Sequence, residues 1–241
     1  MPATDRPIRA DSARIVADVL RQAIHDGTYR GTLPGEEDLG DQFSVSRGTV
    51  REALSILRAE GWIRRGPRVG TEVIARTVDH GLDSLRGLRE TLALHGEVRN
   101  RVRTAGRLVP PPIVAEKLGI PRGAEAVYLE RLRYLNDEPV SLDLTYLVAD
   151  IGDLLLEQDL ENEDVFPLIE AVTGHRLGSS DFSLSAAAAD PHTAANLEIA
   201  TGSPLLLYER LTGLDTGRPV DLEYIRMRSD RITLRGTLHR D

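Results

Sequence analysis

Apolar residues recur at helical spacing at Ile15, Val16, Val19, Leu20, Ala23 and Ile24, which predicts a helix over 11–26 that Gly27 stops. After the turn Leu33-Pro34-Gly35, the acidic run Glu36-Glu37-Asp38 opens a short helix over 36–43, since carboxylates suit the positive end of a helix. A third helix is predicted over 47–60, with Ser46 as its N-cap and Gly61 as its end. On it Val50, Ala53, Leu54 and Leu57 form a buried stripe, which leaves Arg47, Thr49, Arg51 and Ser55 on other faces. The pattern then reads as a strand over 62–65, a turn over 66–70 and a return strand over 71–74.

Beyond this point Leu82, Leu85, Leu88, Leu92 and Leu94 are scattered among glycine and charge. Three segments are therefore expected: a first domain over 1–78, a linker over 79–97 holding a short helix, and a second domain over 98–241. The second domain contains a duplication. Leu118-Gly119-Ile120-Pro121-Arg122-Gly123 followed by Val127-Tyr128-Leu129-Glu130-Arg131-Leu132 parallels Leu197-Glu198-Ile199-Ala200-Thr201-Gly202 followed by Leu206-Leu207-Tyr208-Glu209-Arg210-Leu211, at an offset of 79 residues. Each copy reads as a helix end, a strand, a tight turn (Asn136-Asp137 or Asp215-Thr216-Gly217) and a return strand. Two copies suggest two halves of one antiparallel sheet with helices on a face. Side chains alternate faces along a strand, so Arg131 and Arg133 share one face, as do Ser141, Asp143 and Thr145, Arg210 and Thr212, and Asp221 and Glu223. Arginines and carboxylates on an otherwise leucine-rich sheet suit an anionic or polyhydroxyl ligand, with cross-strand salt bridging as the alternative.

The chain has 241 residues, enough for two domains, and its 41% hydrophobic content lets both bury a core. No apolar run approaches the roughly 20 residues needed to cross a bilayer, and the first nine residues lack a secretory h-region. With no cysteine there is neither a disulfide nor a thiolate metal site, and a cytoplasmic protein is expected. The net charge of −8 argues against nucleic acid until its distribution is considered. Residues 44–76 hold seven arginines against three acids, a local balance of +4, so the other 208 residues carry −12. A basic island on an acidic body suits a DNA-reading element.

Two helices joined by a short turn, the second opening with Arg and Thr and followed by a basic hairpin, describe a winged helix-turn-helix. The runs Leu33-Pro34-Gly35-Glu36-Glu37-Asp38-Leu39, Phe43-Ser44-Val45-Ser46-Arg47-Gly48-Thr49-Val50-Arg51-Glu52-Ala53-Leu54 and Leu57-Arg58-Ala59-Glu60-Gly61-Trp62-Ile63 resemble the DNA-binding domain of the GntR superfamily over about residues 11–74. The resemblance implies DNA contacts at Glu36, Arg47, Thr49, Arg51 and Gly70. Ser46, Arg65 and Arg68 complete the candidate set from their places at the helix start and in the wing. Gly35 stands where the family usually has Ser, and the wing reads Gly-Pro-Arg-Val-Gly rather than the commoner Gln-Gly-Lys-Gly.

The second half resembles the UTRA effector domain of HutC-type GntR regulators, over about residues 98–235. Glu130-Arg131-Leu132-Arg133, Glu138-Pro139-Val140-Ser141-Leu142-Asp143, Ala195-Asn196-Leu197 and Gly217-Arg218-Pro219-Val220-Asp221 carry that resemblance. It implies an α+β chain whose second domain is a chorismate-lyase-like antiparallel sheet. It also implies a homodimer on a pseudo-palindromic operator in double-stranded DNA, released when a small effector binds. In sugar-phosphate-sensing relatives the Arg-x-Arg strand holds phosphate. The effector-binding candidates are accordingly Arg131, Arg133, Asp143 and Asp221, with Ser183 ahead of the alanine run 186–189 as a further one. Both carboxylates are Asp where Glu is frequent, and Met227 stands where Tyr is common.

No catalytic residue, metal site or cofactor is expected: the six histidines lack metal spacing, and no nucleophile elbow, P-loop or dinucleotide fingerprint occurs. Two other readings remain open, a second domain with retained lyase chemistry and an architectural DNA-binding protein with a structural second domain.

Overall fold

The computed structural model describes residues 9–66, 69–74 and 77–240, and the chain divides into two compact units, Met1–Thr77 and Val78–Asp241. The first unit runs α1 (Arg9–His25), α2 (Glu36–Phe43), α3 (Arg47–Ala59), β1 (Ile63–Gly66) and β2 (Gly70–Val73). Val16, Leu20 and Ile24 of α1 meet Leu39 of α2 and Val50, Ala53, Leu54 and Leu57 of α3 in one core. Ile15 and Val19, expected on the apolar stripe of α1, lie more than half or nearly half exposed instead, because the core needs only the narrower Val16–Leu20 side. Strands β1 and β2 form the antiparallel hairpin, with Ile63 opposite Val73 and Gly66 opposite Gly70.

The second unit begins with β3 (Val78–Gly81) and α4 (Leu88–Leu92). The linker expected over 79–97 is therefore folded structure. Leu88 and Leu92 are fully buried, and β3 pairs in parallel with the last strand of the chain, β10 (Ile232–Arg235). A four-residue strand whose partner lies some 150 residues on leaves no local periodicity to read.

The body of the unit is a sheet of six antiparallel strands in the order β4-β5-β6-β9-β8-β7. These are β4 (Val98–Leu108), β5 (Ala126–Leu135), β6 (Glu138–Val148), β7 (Leu177–Ala188), β8 (Pro204–Leu214) and β9 (Pro219–Arg228). Helices α5 (Pro112–Leu118) and α8 (Pro191–Leu197) link β4 to β5 and β7 to β8, while α6 (Ala149–Leu155) and α7 (Val165–Thr173) connect the halves. The duplication is thus larger than the sequence suggests: β4-α5-β5-β6 repeats as β7-α8-β8-β9, and the starts of β4 and β7 are again 79 residues apart. Asn136 and Asp137 both adopt positive φ (49° and 65°), the geometry of a two-residue hairpin turn.

One face of the sheet packs Leu132 and Leu142 against Ala194 and Leu197 of α8. On the other side, Val127, Leu129 and Leu147 join Ile151, Val165 and Ile169 of α6 and α7. Helix α6 sits so close that a methyl group on Gly152 would lie 2.5 Å from Val127 Cβ. Gly152→Ala is expected to destabilise the unit by about 1–3 kcal/mol, because overpacking outweighs the gain in helix propensity. In urea unfolding its midpoint should fall with an unchanged m-value; an unshifted midpoint would show that α6 can move away from the sheet.

Candidate functional site

In the first unit the start of α3 is a polar, outward-facing turn. Ser46 is extended (φ −68°, ψ 153°), and its Oγ accepts the Thr49 N–H at 3.2 Å while lying 2.9 Å from Thr49 Oγ1. That cap satisfies an N–H left over at the helix start and fixes how the next residues project. Arg47 lies 2.6 Å from Glu37, and Arg51 Nε donates to Glu36 at 2.7 Å. Both guanidiniums are well over half exposed, so these pairs contribute only about 0–1 kcal/mol each and are easily exchanged for another anion. Arg65 is exposed on β1, Gly70 opens β2 with a φ of 96°, and Arg68 lies outside the described residues.

In the second unit the strand register gathers most of the sequence-predicted ligand residues on one face. Arg131 stands opposite Asp143, Thr145 opposite Glu223, Leu147 opposite Asp221, and Arg210 opposite Glu223. Arg133 Nε and Nη2 donate to Asp143 Oδ2 at 3.2 and 2.7 Å, and Ser141 Oγ donates to Oδ1 at 2.6 Å. Arg210 donates twice to Glu223 Oε2, at 2.8 and 2.5 Å, and once to the Arg86 carbonyl at 2.9 Å. Its guanidinium also lies 4.3 Å from the centre of the Phe166 ring.

Above these pairs sits Asp164, the N-cap of α7. Its Oδ1 accepts the Val165 N–H at 3.1 Å and lies 3.8 Å from Arg131 and 3.6 Å from Arg133, while Oδ2 accepts the Arg89 N–H at 3.1 Å. Burial pushes the Asp164 carboxyl up, but the Arg133 and Arg131 charges outweigh it and hold it below the ordinary value. Several buried polar atoms have no hydrogen-bond partner among the described residues: Arg131 Nε and Nη2, Arg133 Nη1, Thr145 Oγ1, both Asp221 oxygens and the Asn100 amide. Natural proteins leave few such atoms, and a group of them on one face makes that face the candidate site for a polar molecule.

Ser183 does not join this group. It pairs with Glu209, and strand alternation sends both to the opposite face of the sheet, where Ser183 lines a cavity of about 410 Å³ with Ile113, Leu144, Tyr146, Tyr224 and Arg226. A second cavity, of about 200 Å³, opens on the face of the buried charges and is lined by His80, Leu82, Ser84, Ser180, Phe182, Tyr208 and Arg210. The smaller cavity is the better candidate, because Arg210 in its wall belongs to the face of buried charges, whereas the larger one is walled chiefly by apolar and tyrosine side chains. Asn100, His80 and Asp164 belong to the site or its rim and were not picked out from the sequence. Only Asp164 carried a local signal, an Asp directly before the apolar run Val165-Phe166-Pro167-Leu168-Ile169.

Comparison with known proteins matches residues 93–233 to the UTRA domain and residues 12–73 to the bacterial regulatory proteins of the gntR family. An HTH-type transcriptional regulator of Mycobacterium tuberculosis is 29% identical over 229 residues, covering 93% of this chain and 82% of the relative. A probable fructoselysine utilization operon transcriptional repressor of Escherichia coli K12 is 28% identical over 237 residues, 97% of each chain. Among solved structures, PhnF from Mycobacterium smegmatis superposes with a TM-score of 0.68 at 25% identity, over 98% of this chain and 100% of that one. The M. tuberculosis and E. coli relatives are named as a transcriptional regulator and a transcriptional repressor, not as enzymes.

Two titrations follow from the burial of the polar face. Burial, then the neighbouring Glu223 carboxylate, raise Asp221 well above 3.8, so the folded chain holds that proton more tightly than the unfolded chain does. Stability then falls as pH rises from 3.8 toward the folded value. Asp221→Asn should be more stable than the parent at pH 8 and lose that advantage by pH 4 in urea unfolding. His80 is pushed down to about 4 by burial, then by Arg210 and Arg133. Its contribution is intact above pH 6.5 and is lost as pH falls toward 4. His80→Gln should remove on the order of 2 kcal/mol of the stability lost between pH 7 and 4.5. A parallel pH profile in either variant would show that the group is not titrating as stated.

Proposed function

Because this chain belongs to the GntR family of bacterial regulatory proteins, in the HutC-type branch that carries a UTRA domain, we propose that it is a cytoplasmic, dimeric repressor whose operator affinity a small effector changes. The observation that carries the DNA-binding part is the exposed first turn of α3, where Ser46 fixes the backbone and two arginines project, held only by exposed carboxylates. Arg47 and Thr49 meet base edges in the major groove, and Arg65, Arg68 and the Gly70 turn meet phosphate or the minor groove. Glu36 orients Arg51, and Ser46 acts through the cap. A symmetric pair of such heads requires a pseudo-palindromic operator, and the second unit supplies the dimer contact.

The effector site is the polar face around Arg131, Arg133, Asp143 and Asp221, entered from the cavity beside Arg210. The unpartnered donors and acceptors there support this reading. For the effector to release DNA it must bind better to the arrangement of the dimer that does not fit the operator.

Fluorescence anisotropy of the full chain on its own upstream intergenic DNA, with salt varied and a metabolite panel added, tests both parts. Tight, salt-sensitive binding that one metabolite abolishes is expected. Tight binding that no metabolite changes would instead indicate an architectural protein, and no binding would overturn the reading. Arg47→Ala should weaken specific binding by about 1–3 kcal/mol, on the order of 10- to 100-fold in Kd. Unchanged specific binding would remove Arg47 from the contact set.

A further inference from the structure

The Arg-x-Arg strand is an anion seat by construction: two buried guanidiniums, a backbone N–H from Arg89 and the N-terminus of the nine-residue helix α7 converge on one point. What stands at that point is a carboxylate of the chain itself. We propose that Asp164 is a resident anion that fills this seat, so that the effector is an uncharged, hydroxylated molecule and not a phosphorylated or carboxylated one. The proposal rests on the effector reading above and narrows it to a chemical class.

Two observations support it. The first is spatial. Asp164 Oδ1 lies 3.6 and 3.8 Å from the Arg133 and Arg131 nitrogens, and both of its oxygens are already held by backbone N–H groups. An oxyanion bonded to Arg131 Nη2 would be forced against that carboxylate, with both negative charges out of water.

The second is the charge balance of the face. Arg131, Arg133 and Arg210 are matched by Asp143, Asp164 and Glu223, and every one of the six is buried. Asp221, also buried on this face, brings oxygens and no cation to the balance. No cation is left over for an anionic ligand. The atoms without partners are nevertheless of both kinds, donors on Arg131 and Arg133 and oxygens on Thr145 and Asp221, and that mixture matches hydroxyl groups, which donate and accept.

The test uses inorganic phosphate and thermal unfolding of the full chain, with neither DNA nor metabolite present. In Asp164→Ser the helix keeps a capping residue but loses the carboxylate. Its Tm should drop on the order of 10 °C, because two buried guanidiniums lose their counter-charge, and should recover saturably as phosphate is added. The parent chain should show no such rise beyond that given by sodium chloride of equal ionic strength. Asp164→Ser combined with Arg131→Gln should no longer recover. Asp164→Asn, closer in size and also a capping residue, provides the same readout if the Ser variant does not fold. Saturable stabilisation of the parent by phosphate, or a Ser or Asn variant whose Tm phosphate leaves unchanged, would overturn the proposal. Because DNA plays no part, a rescued variant in a protein whose operator affinity no metabolite changes would defeat the effector reading and leave the seat assignment standing.

Discussion

The pairing of β6 with β9, seven residue pairs from Ser141↔Met227 to Leu147↔Asp221, decides which side chains of the second unit meet. It is the seam between the two copies of the repeat. Because of it, the Arg131–Asp143 pair of the first copy lies beside the Arg210–Glu223 pair of the second, and the polar face is shared by both halves. A slip of one residue along this seam would turn Asp143 toward α8, where Leu132, Leu142 and Leu197 now pack, and would bring Leu142 among the arginines. Few errors cost a fold more than that exchange, so the register is strongly specified at the position where the site needs it.

Burying this many ions is a poor way to gain stability. The desolvation of each offsets most of the attraction to its partner, and a leucine-lined face of the same volume would hold the sheet at least as well. The bonding is also uneven: Arg131 donates hydrogen bonds only to carbonyls, at 3.4 and 3.5 Å, and stands 3.8 Å from the Asp164 carboxylate, where Arg133 has the Asp143 carboxylate at 2.7 Å. Arg131 is accordingly the guanidinium that burial, and then the neighbouring Arg133 charge, lower, whereas Arg133 is raised because Asp143 and Asp164 outweigh its own burial. Two arginines one pleat apart thus have different duties, one fastening the sheet and the other left with capacity to bond something else.

Much of this was legible in the residues, for identifiable reasons. The helix-turn-helix could be read because its core stripe, cap and turn are all local, and the sharing of faces on the strands because alternation has a period of two. What escaped depended on distance. The parallel pairing of β3 with β10 joins the two ends of the second unit, and the first strand of the repeat hides because Val98–Leu108 and Leu177–Ala188 share a place in the fold but almost no residues. The face that Ser183 takes could not be read either, because it depends on the register with β8, which begins regularly only at Ser180 after an irregularity. Even within the repeat, Gly119 and its counterpart Glu198 both take left-handed backbone (φ 67° and 55°), so a glycine signal in one copy has vanished from the other while the conformation stayed.

His80 shows where such a site could exert force. It belongs to β3, the first segment of the second unit, and three residues behind it the chain crosses into the first. The same imidazole is clamped between Thr91 of α4, at 3.0 Å, and the Tyr208 ring, and it forms part of the wall of the smaller cavity. The wall of the smaller cavity and the link to the first unit are therefore one piece of backbone: on the proposed effector reading, a shift of β3 reaches Thr77 through three residues of main chain, with no relay of side chains needed.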